Sequence, residues 1–285
     1  MDQIRKPLPG KEKQRGYLEQ RFRLFHLKDK TNQEFEFHYH NFNKIIIFLS
    51  GHVTYLVEGK AYYLQPWDIL LVNNHDIHKP IIDPNSTYER IIIWLQHDFM
   101  ALSQDESCDL SACFLTATQK SFHLMRLAPP LQTQIQSILF SLTESLQSNE
   151  FGSNVLSNTY FLQLMVYVNR IFANSHLERD PTASKYDKQI AELLAYINLN
   201  LNLDLSNQSL AEKFFLSKYY LMHKFKKETG YTLHNYIQQK RLLRAADLIR
   251  QGSPIQKAAN QCGFQDYSTF LRAFQKMFHT SPREL

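Results

Sequence analysis

Ser-Leu-Ala-Glu-Lys-Phe-Phe-Leu-Ser-Lys-Tyr-Tyr-Leu-Met-His-Lys-Phe-Lys-Lys (Ser209–Lys227) and Ile-Gln-Lys-Ala-Ala-Asn-Gln-Cys-Gly-Phe-Gln-Asp-Tyr-Ser-Thr-Phe-Leu-Arg-Ala-Phe-Gln-Lys (Ile255–Lys276) decide how the last third of the chain folds. Each reads as a short helix, a tight turn and a second helix, apolar on one side and basic or polar on the other. In the first stretch Leu210, Ala211 and Phe214 fit a scaffold helix and Ser217 an N-cap. Leu221 and Phe225 follow at i and i+4, and Gly230 ends the helix. In the second, Ala258 and Ala259 fit the scaffold, Gly263 the turn and Asp266 the N-cap, with Phe270 and Phe274 as anchors. The reading predicts two helix-turn-helix units, at about 207–229 and 254–278, joined by a helix from about Leu233 to Arg250. That helix spans roughly 27 Å at about 1.5 Å per residue, close to the ~34 Å between successive major-groove faces.

The faces left over carry the chemistry. The first unit offers Lys218, Tyr219, Met222 and His223, followed by Lys226 and Lys227; the second offers Tyr267, Ser268, Leu271 and Arg272, then Lys276. A guanidinium such as that of Arg272 can hold guanine with two hydrogen bonds, and an ammonium such as that of Lys276 meets phosphate without sequence preference. Residues 190–285 contain 13 Lys/Arg against 7 Asp/Glu, while the rest of the chain contains 19 against 20. Positive charge confined to the helical third suits a double-stranded DNA partner.

With these residues in place the chain resembles the AraC/XylS-type transcriptional regulators over about residues 188–285. The resemblance rests on Leu210-Ala211, Ser217, Leu221, Phe225-Lys226, Gly230, Tyr236, Arg241-Leu242, Ala245, Leu248, Ala259, Gly263-Phe264, Ser268, Phe270, Phe274 and Ser281-Pro282. It implies two helix-turn-helix units on adjacent major-groove segments, with Tyr219, Met222 and His223, then Tyr267, Ser268 and Arg272, facing bases. It also implies an effector domain, sugars or related metabolites as effectors, a homodimer, and RNA polymerase as a partner if the protein is an activator. His279 departs from the family, which usually has Gly there.

Upstream, residues 21 to about 97 carry β signals. The runs Ile45–Leu49, His52–Val57, Ala61–Leu64, Ile69–Val72 and Ile91–Leu95 are separated by turn residues, and Glu58-Gly59 suits a tight hairpin. From Pro129 the period becomes helical through Leu131, Ile135, Ile138, Leu142 and Leu146, then Phe161, Leu164, Met165, Val168, Ile171 and Phe172. The expected fold is α+β in two domains: a cupin-like β-barrel with a helical hairpin, then an all-α double helix-turn-helix. Segment boundaries are 1–20 (flexible), 21–128 (effector-binding), 129–174 (hairpin and candidate dimerisation element), 175–187 (linker) and 188–285 (DNA-binding).

His38-Tyr39-His40, Lys44 and Gly51 follow the spacing of the first cupin motif, but a metal site expects Glu where Lys44 stands. Leu70 and Leu71 occupy the region of the second motif's histidine, and His75 and His78 come too late for it. The expectation is therefore no metal, no cofactor and no catalytic residues, with His38, His40, Lys44 and His78 as polar contacts for a small-molecule effector. A cupin-type metalloenzyme with an accessory DNA-binding domain is the competing class, which Lys44 and Leu71 oppose. A regulator controlled by a protein partner is the third. No apolar run reaches the ~18–20 residues of a membrane span, the N-terminus lacks the apolar core of a secretory signal, and three cysteines make no disulfide framework. The cytoplasm is the expected address.

Overall fold

The computed structural model describes residues 18, 21–30, 35–40, 42–74, 76–96, 108–120, 122–174, 184–278 and 280–284. The expectations for residues 1–17, His75, residues 175–183 and His279 lie outside the described residues. The chain forms two compact units, residues 1–185 and 186–285.

The first unit is built on two sheets. One orders its strands β1 (Phe22–Asp29), β7 (Tyr88–Leu95), β2 (Asn43–Ser50), β5 (Ile69–Val72) and β8 (Leu124–Met125); the other orders β6 (His78–Ile82), β3 (Val53–Val57), β4 (Lys60–Tyr63) and β9 (Ser184–Tyr186). Strand alternation splits β2 between two cores. Ile46 and Phe48 join Tyr55, Val57, Tyr62, Leu70 and Val72 between the sheets, while Ile45 and Ile47 join Ile69, Leu71, Ile91 and Ile93 on the other face. Helices α1 (Ala112–Gln119), α2 (Pro129–Gln147) and α3 (Ser153–Asn174) cover that second face. A strand buried on both sides needs the unbroken apolar run that this one has. Two sheets around a shared core are the double-sheet form of the cupin-like fold.

Glu58 and Gly59 both take positive φ, 45° and 76°, between paired Val57 and Lys60, as a two-residue hairpin of the primed type requires. Strands β1, β6 and β8 and helix α1 extend the expected elements. Pro80 interrupts the β signal in β6, yet β6 lies at a sheet edge, where a missing N–H is tolerated. The α2–α3 hairpin matches the helical period: Ile135, Ile138, Leu142, Phe161, Leu164, Met165, Val168 and Phe172 are buried, whereas Leu146 is exposed.

The second unit contains α4 (Lys188–Leu199), α5 (Asn207–Lys213), α6 (Lys218–Thr229), α7 (Leu233–Arg250), α8 (Ile255–Gln261) and α9 (Tyr267–Phe278). Helices α4 to α7 start on side-chain caps, whereas α8 follows Pro254 without one. Asp187, Ser206, Ser217 and Thr232 accept from the backbone N–H groups of Ile190, Ser209, Tyr220 and Asn235. Gly230 closes α6 in the left-handed conformation, φ 75°. Phe214 corrects the sequence expectation. It is the C-cap of α5, half-buried and edge-on to Tyr196, because α5 ends at Lys213.

Gly263, between α8 and α9, has φ 81°, and a Cβ there would lie 2.5 Å from the Leu201 carbonyl oxygen and 2.8 Å from Arg241 Nη2. Arg241 is fixed against the same loop, donating to the carbonyls of Leu201 at 2.8 Å and Leu203 at 2.7 Å. The glycine thus locks the second helix-turn-helix to α7 and the 201–203 loop.

Candidate DNA-reading helices and ligand site

Helix α6 rests on its apolar side. Leu221 and Phe225 are fully buried, and the Phe225 ring meets Tyr236 of α7 edge-on at 5.4 Å. Lys218, Tyr219, Met222, His223, Lys226 and Lys227 are all exposed. The rings of Tyr219 and His223, one turn apart, lie nearly parallel with centroids 6.2 Å apart. The Met222 sulfur accepts from Asn207 Nδ2 at 3.4 Å. Lys224, by contrast, is tied to Asp187 at 2.8 Å and to Gln189 at 2.7 Å. It is therefore a structural lysine that anchors α6 to the start of α4.

Helix α9 follows the same plan. Asp266 Oδ1 accepts from the Thr269 N–H at 2.6 Å, and the bonds to Thr269 hold its carboxyl below the usual carboxylate range. Phe270 and Phe274 are buried, in a cluster with Phe264, Ala259 and Leu242. Tyr267, Ser268, Arg272 and Lys276 are exposed. Leu271 corrects the reading: expected outward, it is half-buried against the Phe270–Phe274 core. One position along a helix turns a side chain by about 100°, which separates Leu271 from its exposed neighbour Arg272. The Arg272 guanidinium lies along its own helix, 3.4 Å from the Ser268 carbonyl and 3.4 Å from Thr269 Oγ1. Contacts that long leave it available to a better acceptor.

In the first unit His38, His40, Lys44 and His78 come together, all buried. The main chains of His38 and His78 exchange hydrogen bonds of 3.1 and 3.0 Å, which brings their rings to 4.5 Å. His40 lies 5.2 Å from His38 and 5.0 Å from His78, with Phe42 stacked beneath it at 4.6 Å. Lys44 alternates with Ile45 onto the inter-sheet side of β2, where its Nζ donates to Tyr55 Oη at 3.3 Å. Burial, and then the charges of Lys44, His38 and His40, hold His78 well below the usual imidazole value, so it is neutral at pH 7. Burial also raises Tyr55, which stays a hydroxyl.

Sequence reasoning did not name Tyr55 or Trp94. Tyr55 sits 6.0 Å from His78 and Trp94 6.1 Å from His40. The alternation Val53-Tyr55-Val57 marks Tyr55 as inward; for Trp94 only its place on β7, opposite Lys44, does so.

Two helix-turn-helix units in one domain and a buried polar cluster in a separate double-sheet domain define a ligand-controlled DNA-binding regulator. Residues 210–285 match the family described as a helix-turn-helix domain, and residues 24–165 match the AraC-like ligand binding domain. The chain belongs to the AraC/XylS-type transcriptional regulators. The HTH-type transcriptional activator RhaS of Enterobacter sp. (strain 638) is 24% identical over 252 residues, 87% of this chain and 86% of that protein. RhaS of Escherichia coli O139:H28 is 23% identical over 256 residues, 88% and 87% of the two chains. Among solved structures, the C-terminal domain of AraT from Geobacillus stearothermophilus is 27% identical and covers 34% of this chain and 83% of that one, with a TM-score of 0.34. Fatty-acid-bound ToxT from Vibrio cholerae is 13% identical and covers 92% and 94%, with a TM-score of 0.39. The protein is a regulator, not an enzyme. No helix among the described residues is long and apolar enough to cross a membrane.

Proposed function

We propose that α6 and α9 enter successive major-groove segments of a promoter. Tyr219, Met222 and His223 read bases from the first helix, and Tyr267, Ser268 and Arg272 from the second. Lys218, Lys226 and Lys276 meet phosphates, and half-buried Leu271 supplies packing beside them. The observation that carries this reading is the repeated construction. Each helix buries an aromatic pivot, Phe225 or Phe274, and exposes polar residues on the opposite side. Footprinting should show two protected segments one helical turn apart. Arg272→Ala should relax preference at one base by about 1–3 kcal/mol, and Lys276→Ala should weaken all sequences alike and lower the salt slope by about 0.9. Unchanged preference in Arg272→Ala would remove Arg272 from base reading.

The controlling ligand, on this proposal, is a sugar or related metabolite in the first unit, with His38, His40, Lys44 and His78 as polar contacts. It must bind two arrangements of the regulator unequally, since equal binding shifts nothing. The 129–174 hairpin carries exposed Phe140, Leu146, Phe151, Val155 and Leu156, which supports a homodimer formed there. The domain boundaries 21–128, 129–174, 175–187 and 188–285, cytoplasmic location and contact with RNA polymerase in an activator belong to the same reading. A ligand screen by thermal shift separates it from control by a protein partner, because an effector raises stability by mass action.

A further inference from the structure

His38, His40 and His78 each offer one ring nitrogen, and these atoms lie within 4.8 Å of one another in a fully buried setting. Hydrogen bonds to two of the rings place a proton on Nδ1. His78 Nδ1 lies 2.8 Å from the Asp76 carbonyl, and His38 Nδ1 lies 2.8 Å from the Glu36 carbonyl. A carbonyl only accepts, so each Nδ1 carries a proton, and in the neutral ring that a metal requires each Nε2 keeps the lone pair. His78 Nε2 is buried with no hydrogen-bond partner among the described residues. Such an atom calls for an occupant. A ring whose far nitrogen is held by a carbonyl is also how metal-bound imidazoles are oriented. The reciprocal main-chain bonds of His38 and His78 fix two of the three donors before any ligand arrives.

We propose that His38, His40 and His78 bind a divalent transition-metal ion of the zinc, cobalt or nickel type, leaving a coordination position open to an anionic donor from outside the chain. Three neutral imidazoles suit these ions and not magnesium or calcium, which need oxygen ligands. With no carboxylate in the triad, the site keeps its double positive charge. Lys44, hydrogen-bonded to Tyr55 beside His78, adds a further positive charge on the same inter-sheet side. The lysine repels the bare ion but favours an ion that arrives with, or acquires, an anion such as a carboxylate. The sequence expectation of no metal rested on Lys44 and a missing third imidazole; β6 supplies that imidazole. The inference goes beyond the effector reading of the same cluster and does not depend on it.

The test uses the full chain, stripped with chelator and titrated with Co²⁺ and then Zn²⁺, with no effector or DNA present. The expected result is one saturable Co²⁺ per chain, visible d–d absorption, displacement by Zn²⁺ and a raised thermal midpoint. His78→Gln and His38→Gln should weaken binding by at least the roughly 100-fold that losing a supporting hydrogen bond can cost. Lys44→Glu, which removes the ammonium and adds a fourth ligand, should bind about tenfold tighter or better. An unfolded variant cannot produce that gain. Failure of the native chain to take up Co²⁺ would overturn the proposal, and so would retention of the full cobalt spectrum by His78→Gln. Either failure leaves the effector reading standing, because that reading is tested by ligand screening.

Discussion

Replacing Gly263 by alanine tests whether the second helix-turn-helix is locked to the rest of its domain through one missing side chain. The backbone there has φ 81°, and left-handed geometry costs a non-glycine residue roughly 1–2 kcal/mol. The added Cβ would also stand 2.5 Å from the Leu201 carbonyl oxygen and 2.9 Å from Arg241 Cζ. Neither neighbour gives way alone, because Arg241 donates to Leu201 and Leu203. Losing one of these charge-assisted bonds from a partly buried guanidinium costs about 1.5–3 kcal/mol. The total is on the order of 3 kcal/mol, or roughly 10–20 °C in the midpoint of a domain of this size. Gly252→Ala is the control: φ is 88°, but nothing lies within 4 Å of the new Cβ, so only the backbone cost applies. The assay follows far-UV ellipticity against tryptophan fluorescence, since Trp67 and Trp94, the chain's two tryptophans, both belong to the first unit. Ellipticity should show the helical transition moving down while the fluorescence transition stays. If Gly263→Ala loses no more than Gly252→Ala, the clash with the Arg241-bound loop is not real and the lock fails with it.

Phe215, at φ 54° and 94% exposed, occupies a left-handed turn position with little packing to lose. Phe215→Asn should therefore stabilise the helical transition by about 0.5–1 kcal/mol, and a destabilised variant would contradict this. Burial pushes the Cys113 thiol up to about 12 and the Cys262 thiol up to about 11, whereas Cys108 is exposed. A thiol reagent at pH 8 should label one cysteine in the native chain and three in denaturant; fast labelling of two would refute the packing around one of the buried pair. For Asp187, desolvation works to raise the carboxyl, but the hydrogen bonds from Lys224 and the Ile190 N–H win and lower it. Its stabilisation is thus fully present above the free carboxylate value of ~3.9 and is lost as pH falls through the lower folded value. The gap in stability between the native chain and Asp187→Asn should be flat above about pH 5 and close in acid, and a gap that persists at the acid end would assign the cap to something other than the charge.

The helical domain was legible because its information is local. Ser217, Leu221 and Phe225, or Asp266, Phe270 and Phe274, state a cap and a buried stripe within one or two turns, and the structure puts all six where the period predicts. The two misjudged residues lie at margins where period alone does not decide. Phe214 falls at a helix end, and Leu271 borders the buried stripe of a helix whose core, with Phe264, Phe270 and Phe274, is wide enough to take it.

The ligand site follows the opposite rule. His38 and His78 are forty residues apart, and what joins them is a backbone bridge between β6 and the segment before β2, a pairing that no short window contains. Motif spacing looked for the third imidazole on β5, where Leu70 and Leu71 instead face the two cores; it stands at the start of β6. Lys44 was ambiguous for a related reason. In a run as apolar as Asn43–Phe48 the two faces of the strand carry the same signal, so alternation does not say which way an odd charge points. Register does: Lys44 pairs with Trp94 and Val72, and the Ile46–Phe48 parity that fills the inter-sheet core carries Lys44 inward with it. Where a ligand site is assembled by strand pairing, the residues can be named from sequence, but their meeting is a property of the register.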